Sequence, residues 1–139
     1  HMDLDLDLAI KNSNENPVYY VQYAYARICS LFRTFAEQGK EFVPVKQFKK
    51  LDFEKNDQIL LLLLQYPEII QEAASKRLPH KIAQYTLDLA ASFHSFYGDE
   101  KIITDDIEET LEKLTLLKAV QIVLKDALSL IGVGVKEKM

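Results

Sequence analysis

Tryptophan is absent from this 139-residue chain, cysteine occurs once, and glycine and proline occur four times each. Each scarcity removes a class of architecture. The single thiol, Cys29, closes no internal disulfide, which excludes a disulfide-stapled scaffold and makes a reducing, cytoplasmic location the expectation. So little glycine and proline, with no low-complexity tract, excludes collagen-like and linker-like chains. Long apolar runs are lacking too. The longest, Ile59 to Leu64, is six residues, whereas a bilayer-crossing helix takes about 20, so no membrane partner is expected. Two-residue alternation is confined to Asp3 to Leu8 and glycine-based hairpin turns are missing, which argues against a sheet. What remains is ordinary globular material, 48% apolar and 27% charged, of a length that suits one domain with a core of its own. The leading His1-Met2 reads as a vector scar, leaving 3–139 as the domain.

The spacing of apolar residues predicts an all-α, antiparallel helical bundle of about five helices. Asn16 as N-cap and Pro17 at the first helical position open a helix that runs to about Gly39. A connector rich in Lys and Phe, KEFVPVKQFKKL, follows. A second helix covers about Glu54 to Gln65, a third begins at Pro67 and stops before Pro79, and a fourth runs from His80 to Tyr97 with Gly98 as its stop. The last helix is long. Thr104 suits its cap, Asp105, Asp106, Glu108 and Glu109 suit the positive end of its dipole, and Gly132 ends it. Ile82, Leu89, Phe93 and Phe96 recur at helical spacing, as do Ile107, Leu111, Leu114, Leu117, Val120 and Leu124, and both sets are core stripes. The alternating DLDLDL segment reads as an extended lead-in from something upstream.

Net charge is −4, which by itself argues against nucleic acid. Its distribution softens that. Seven basic residues stand between Arg27 and Lys55 against four acids, while Asp99 to Glu112 holds seven acids against Lys101. A molecule with one end able to approach phosphate is the resulting expectation, beside the commoner one that such runs are solvated surface.

The stretch NENPVYYVQYAYARICSLFR concentrates Tyr19, Tyr20, Tyr23 and Tyr25 on one helix. At about 100° per residue, Val18, Val21, Tyr25, Ile28, Leu31, Phe32 and Phe35 share one arc, which is the core face. Tyr25 is thereby a core ring. Tyr19, Tyr23 and Arg27, at successive turns, lie on another side, with Tyr20 on the flank. Two rings and a guanidinium there suit the stacking and edge contacts that unpaired RNA bases require. Packing of the same tyrosines against a neighbouring helix, as in a helical protein-interaction module, stays open as the alternative.

Catalytic machinery is not evident. His80 and His94 fall on one helix about 21 Å apart, too far to share a metal ion. His94 reads as a hydrogen-bonded structural residue and Cys29 as a packed thiol. No Gly-rich phosphate loop is present, and no catalytic residue and no metal ligand is assigned.

NENPVYYVQYAYARICSLFR, PHKIAQYTLDLAASFHSFY and the tail LLKAVQIVLKDALSLIGVGVKEKM together resemble the C-terminal anticodon-binding domain of bacterial arginyl-tRNA synthetases. The resemblance implies an all-α bundle that grips the anticodon stem and loop of tRNA(Arg). It implies an anticodon pocket drawing on Tyr23, Arg27 and the terminal Met139, with the preceding loop, Lys11 to Pro17, supplying hydrogen bonds from Asn12, Asn14 and Asn16. Tyr19 joins these from its position one turn before Tyr23. The resemblance further implies a parent enzyme that uses ATP and Mg in an upstream catalytic domain whose His-Ile-Gly-His-type motif is absent here, no cofactor for this portion, and a monomer. The anticodon domain of another synthetase, such as the large subunit of the glycyl enzyme, is the related alternative.

Overall fold

A computed structural model describes residues 17–139. These residues form four helices: α1 (Pro17–Glu37), α2 (Asp57–Lys76), α3 (Pro79–Asp99) and α4 (Ile107–Leu130). The predicted N-cap Asn16 and the extended DLDLDL lead-in lie outside the described residues. The architecture is all-α, as the periodicity required, and no strand occurs among the described residues. Helix α3 touches each of the other three and α4 does the same, whereas α1 and α2 do not meet. The α3–α4 pair is therefore the spine, with α1 and α2 laid on it.

Among the described residues the helices number four where about five were expected, because the expected second and third helices are one: α2 runs through Pro67. A proline inside a helix removes one backbone hydrogen bond and strains the preceding turn, at about 3 kcal/mol. Tertiary contacts offset that here. The Tyr85 hydroxyl donates to the carbonyl of Leu62 in the turn before Pro67, and its ring stacks on Tyr66 at 5.3 Å. The Tyr66 hydroxyl in turn donates to Asp126 on α4 at 2.6 Å. Ile59, Leu62, Tyr66 and Ala73 are buried along the full length of α2, so both halves of the helix are held against the spine.

The helix ends follow local chemistry with small departures. Asp106, not Thr104, caps α4: its carboxylate accepts from the backbone N–H groups of Glu108 and Glu109. Thr104 instead folds the lead-in, its N–H donating to Thr110 Oγ1 at 2.9 Å and its own hydroxyl oxygen accepting from the Asp106 N–H. Helix α3 continues over Gly98 to Asp99. At the far end of α4, Gly132 takes a φ of +78°, its N–H bonding Ser129 O and that of Val133 bonding Leu128 O. This paired closure needs a left-handed residue and turns the chain sharply back. The same closure ends α2, where the left-handed position is occupied by Arg77.

The core is one cluster. Val21, Ile28 and Phe35 of α1 meet Leu89 and Phe93 of α3 and Leu114, Leu117, Val120 and Leu124 of α4. Tyr25 is buried with them, as its place on the wheel required. Among the described residues no helix is long and apolar enough to cross a membrane.

Candidate nucleic-acid interface

Two features carry the C-terminal tail back to α1. The closure at Gly132 reverses the chain, and then Gln22 Nε2 donates to Gly134 O at 2.9 Å while Arg33 Nη1 donates to Glu137 O at 3.0 Å. The tail thus lies along α1 and delivers Met139 beside its middle turns. There an open cleft of about 580 Å³ is lined by Tyr23, Arg27, Arg33, Tyr97, Lys138 and Met139, together with Ser30 and Thr34. Tyr23, Arg27 and Met139, the three residues singled out by the sequence resemblance, share this one concavity.

Inside the cleft the guanidinium of Arg27 sits 4.1 Å from the ring centroid of Tyr97 and 5.4 Å from that of Tyr23. Cation–ring attraction of this kind is worth about 0.5–2 kcal/mol and holds the guanidinium flat without spending its N–H donors on a carboxylate. No salt bridge among the described residues involves Arg27 or Arg33. Tyr23 is half-buried, leaning on the ring of His94 at 5.7 Å. It therefore packs on a neighbouring helix and lines the cleft at once, so the two readings left open for it are not exclusive.

His94 departs from expectation. It is buried, but neither ring nitrogen has a hydrogen-bond partner among the described residues. Burial, and next the nearby positive charge of Arg27, push its pKa down to about 4. The imidazole is neutral and acts as an aromatic plate under the cleft.

Of the other predicted site residues, Tyr19 is half-buried on α1 and is not part of the cleft lining. Asn14 and Asn16, like Asn12, lie outside the described residues. Sequence reasoning missed Tyr97 and Lys138. Tyr97 follows Phe93 by one helical turn, at the border of the α3 core stripe, and the spacing that marks the stripe does not say which border ring turns toward α1. Lys138 gave no signal beyond its place next to Met139.

The expected charge separation is corrected as well. The basic connector and the acidic entry to α4 meet instead of lying at opposite ends. Lys50 pairs with Asp106 and, at 3.7 Å, with Glu108. The buried carboxylate of Glu112 accepts from the backbone N–H groups of Lys50 and Leu51 at 2.9–3.1 Å. Burial alone would raise its pKa, yet those N–H groups outweigh burial and hold it below the usual range. The cations at the cleft come from α1 and from the tail.

A helical bundle that gathers rings, a guanidinium and a basic rim in one open cleft has the surface chemistry of a single-stranded nucleic-acid-binding module. Residues 21–139 match the sequence model of the DALR anticodon binding domain, and the chain belongs to that family. It is 50% identical over its whole length to the arginine–tRNA ligase of Bacillus subtilis and 48% identical to that of Geobacillus kaustophilus, in each case spanning 25% of the relative. The quarter it matches is the C-terminal portion. Among solved structures, the arginyl-tRNA synthetase of Thermus thermophilus superposes on 86% of this chain with a TM-score of 0.70 at 32% identity, over 21% of its own length.

Proposed function

We propose that this chain is the C-terminal, anticodon-binding part of an arginine–tRNA ligase and that its cleft receives the anticodon loop of tRNA(Arg). The observation that carries the reading is the convergence of Tyr23, Arg27 and Met139, from opposite ends of the chain, on one open cleft. A splayed anticodon base stacks on Tyr23. Arg27, held flat by Tyr97, presents its N–H donors to a phosphate or base edge. Met139 closes the far side as a soft apolar surface that adapts to the base. Arg33 and Lys138 add positive charge at the rim. Tyr19 extends the aromatic side of α1 toward the stem, and Asn14 and Asn16, just before α1, supply hydrogen bonds to the loop.

Bond-making belongs elsewhere in the enzyme. Arginine is attached to tRNA with ATP and Mg by an upstream catalytic domain of the same polypeptide, in the cytoplasm, in a monomeric enzyme. No group of three or more His, Cys, Asp or Glu side chains that could hold a metal ion occurs among the described residues, and no step in this domain calls for one. What the domain contributes is binding free energy and placement of the anticodon.

Retention of tRNA(Arg) and of an anticodon-altered transcript by this chain, measured across a salt series, tests the reading. Preferential retention of tRNA(Arg), with affinity falling steeply as salt rises, is expected. Equal retention of both would reduce the interaction to shape and charge. Salt-insensitive binding would point to an apolar protein dock.

A further inference from the structure

The side chains under the cleft form a closed circuit. The ring of His94 meets Tyr23 at 5.7 Å and Tyr20 at 5.1 Å. It also meets its neighbour Phe93 at 5.2 Å, and Phe93 meets Tyr97 at 5.8 Å. Tyr97 and Tyr23 then flank Arg27 at 4.1 and 5.4 Å. Tyr23, His94, Phe93, Tyr97 and Arg27 thus each touch the next, and His94 meets three other rings, those of Tyr20, Tyr23 and Phe93. It is 7% exposed and does not line the cleft. Neither of its nitrogens is hydrogen-bonded among the described residues, so the ring itself, and not its polar atoms, is what its neighbours rest on.

From this circuit we infer that His94 is a positioning residue for RNA binding, a flat plate that sets the tilt of Tyr23 and, through Phe93 and Tyr97, the place of the Arg27 guanidinium. The inference rests on the proposed anticodon-binding role of the cleft and extends it to a buried residue on a different helix. A planar ring restricts the tyrosine tilted at 33° against it in a way that a branched aliphatic side chain of similar volume does not. In a closed circuit, loosening one member frees the two on either side.

The test measures binding of a labelled anticodon stem-loop RNA of tRNA(Arg) to this chain carrying His94→Leu, His94→Phe, Tyr23→Ala or the double change His94→Leu with Tyr23→Ala, all well below their melting temperatures. His94→Leu is expected to weaken binding roughly three- to tenfold. His94→Phe, which keeps the plane, is expected to bind as the parent does. The loss from His94→Leu should largely vanish in the Tyr23→Ala background, a coupling that a general loss of stability would not produce. If His94→Phe loses as much as His94→Leu, or if the loss persists undiminished beside Tyr23→Ala, the positioning role is wrong while the binding reading stands. If Tyr23→Ala itself leaves affinity unchanged, the cleft is not the RNA site and both fall.

Discussion

Two regions of the bundle handle charge in opposite ways. Where the connector meets the start of α4, two buried ionic groups are spent on the fold: Glu112 grips two backbone N–H groups, and the buried ammonium of Lys113 bonds Lys101 O at 2.7 Å and Glu109 at 3.0 Å. Along α1, by contrast, Arg27 rests on rings and Arg33 on a backbone carbonyl. Cations already answered by carboxylates in a folded chain have little left for a partner. Those held by rings and carbonyls keep most of their charge for an incoming anion. A count of lysines and arginines along the sequence points to the connector, and the geometry points to α1 and the tail.

Changes in the first region should damage folding and spare binding. Glu112→Ala leaves the N–H groups of Lys50 and Leu51 without their acceptor and is expected to lower stability by roughly 3–5 kcal/mol in denaturant titration. The RNA affinity of the protein that remains folded should be unaltered. A loss of less than about 1 kcal/mol would mean that solvent substitutes for the carboxylate.

A pH titration examines the boundary between the two regimes. His94 has a folded-state pKa of about 4 against about 6.5 when unfolded, so the unfolded chain takes up the proton first. Its neutral, buried form therefore contributes full stability above about pH 6.5, and that contribution declines as pH falls toward 4. The loss is expected to be about 3 kcal/mol, and His94→Phe should remove it from that window. Unfolding free energies of the two proteins that fall in parallel between pH 6.5 and 4 would contradict this assignment.

At the cleft the expected pattern reverses. Tyr23→Ala or Arg27→Ala should weaken tRNA binding by about 1–3 kcal/mol, with melting temperature less affected than by Glu112→Ala. Filter-binding or fluorescence titration measures this directly, and unchanged affinity in a folded double variant would remove the site. The smallest effect is a gain. Arg77 holds a left-handed conformation at φ +54° that costs a side chain about 1 kcal/mol, so Arg77→Gly should raise stability by up to about that amount and leave binding alone.

Several of these features were legible before any coordinates. The phase of Val21, Ile28 and Phe35 put Tyr25 inside and turned Tyr23 and Arg27 away from the centre of the core, because a helix converts sequence spacing directly into direction. The acids before Ile107 and the glycine at 132 marked both ends of α4 to within a few residues, since capping depends only on adjacent groups. Pro67 misled for the complementary reason: its penalty is local, but the Tyr85 and Tyr66 contacts that outweigh it come from helices further along the chain.

By itself, then, the sequence determined the helical class, most helix ends, the inward and outward faces of α1 and the family resemblance, all of which depend on neighbours within a turn or two or on a linear pattern. Tertiary structure alone decided that the tail would bring Met139 and Lys138 to Arg27, that Tyr97 would lie against the same guanidinium, and that the basic connector would be neutralised by α4. Those meetings depend on how helices pack and where a reversed tail is tied down, and no periodicity within a single helix specifies the angle at which it meets another.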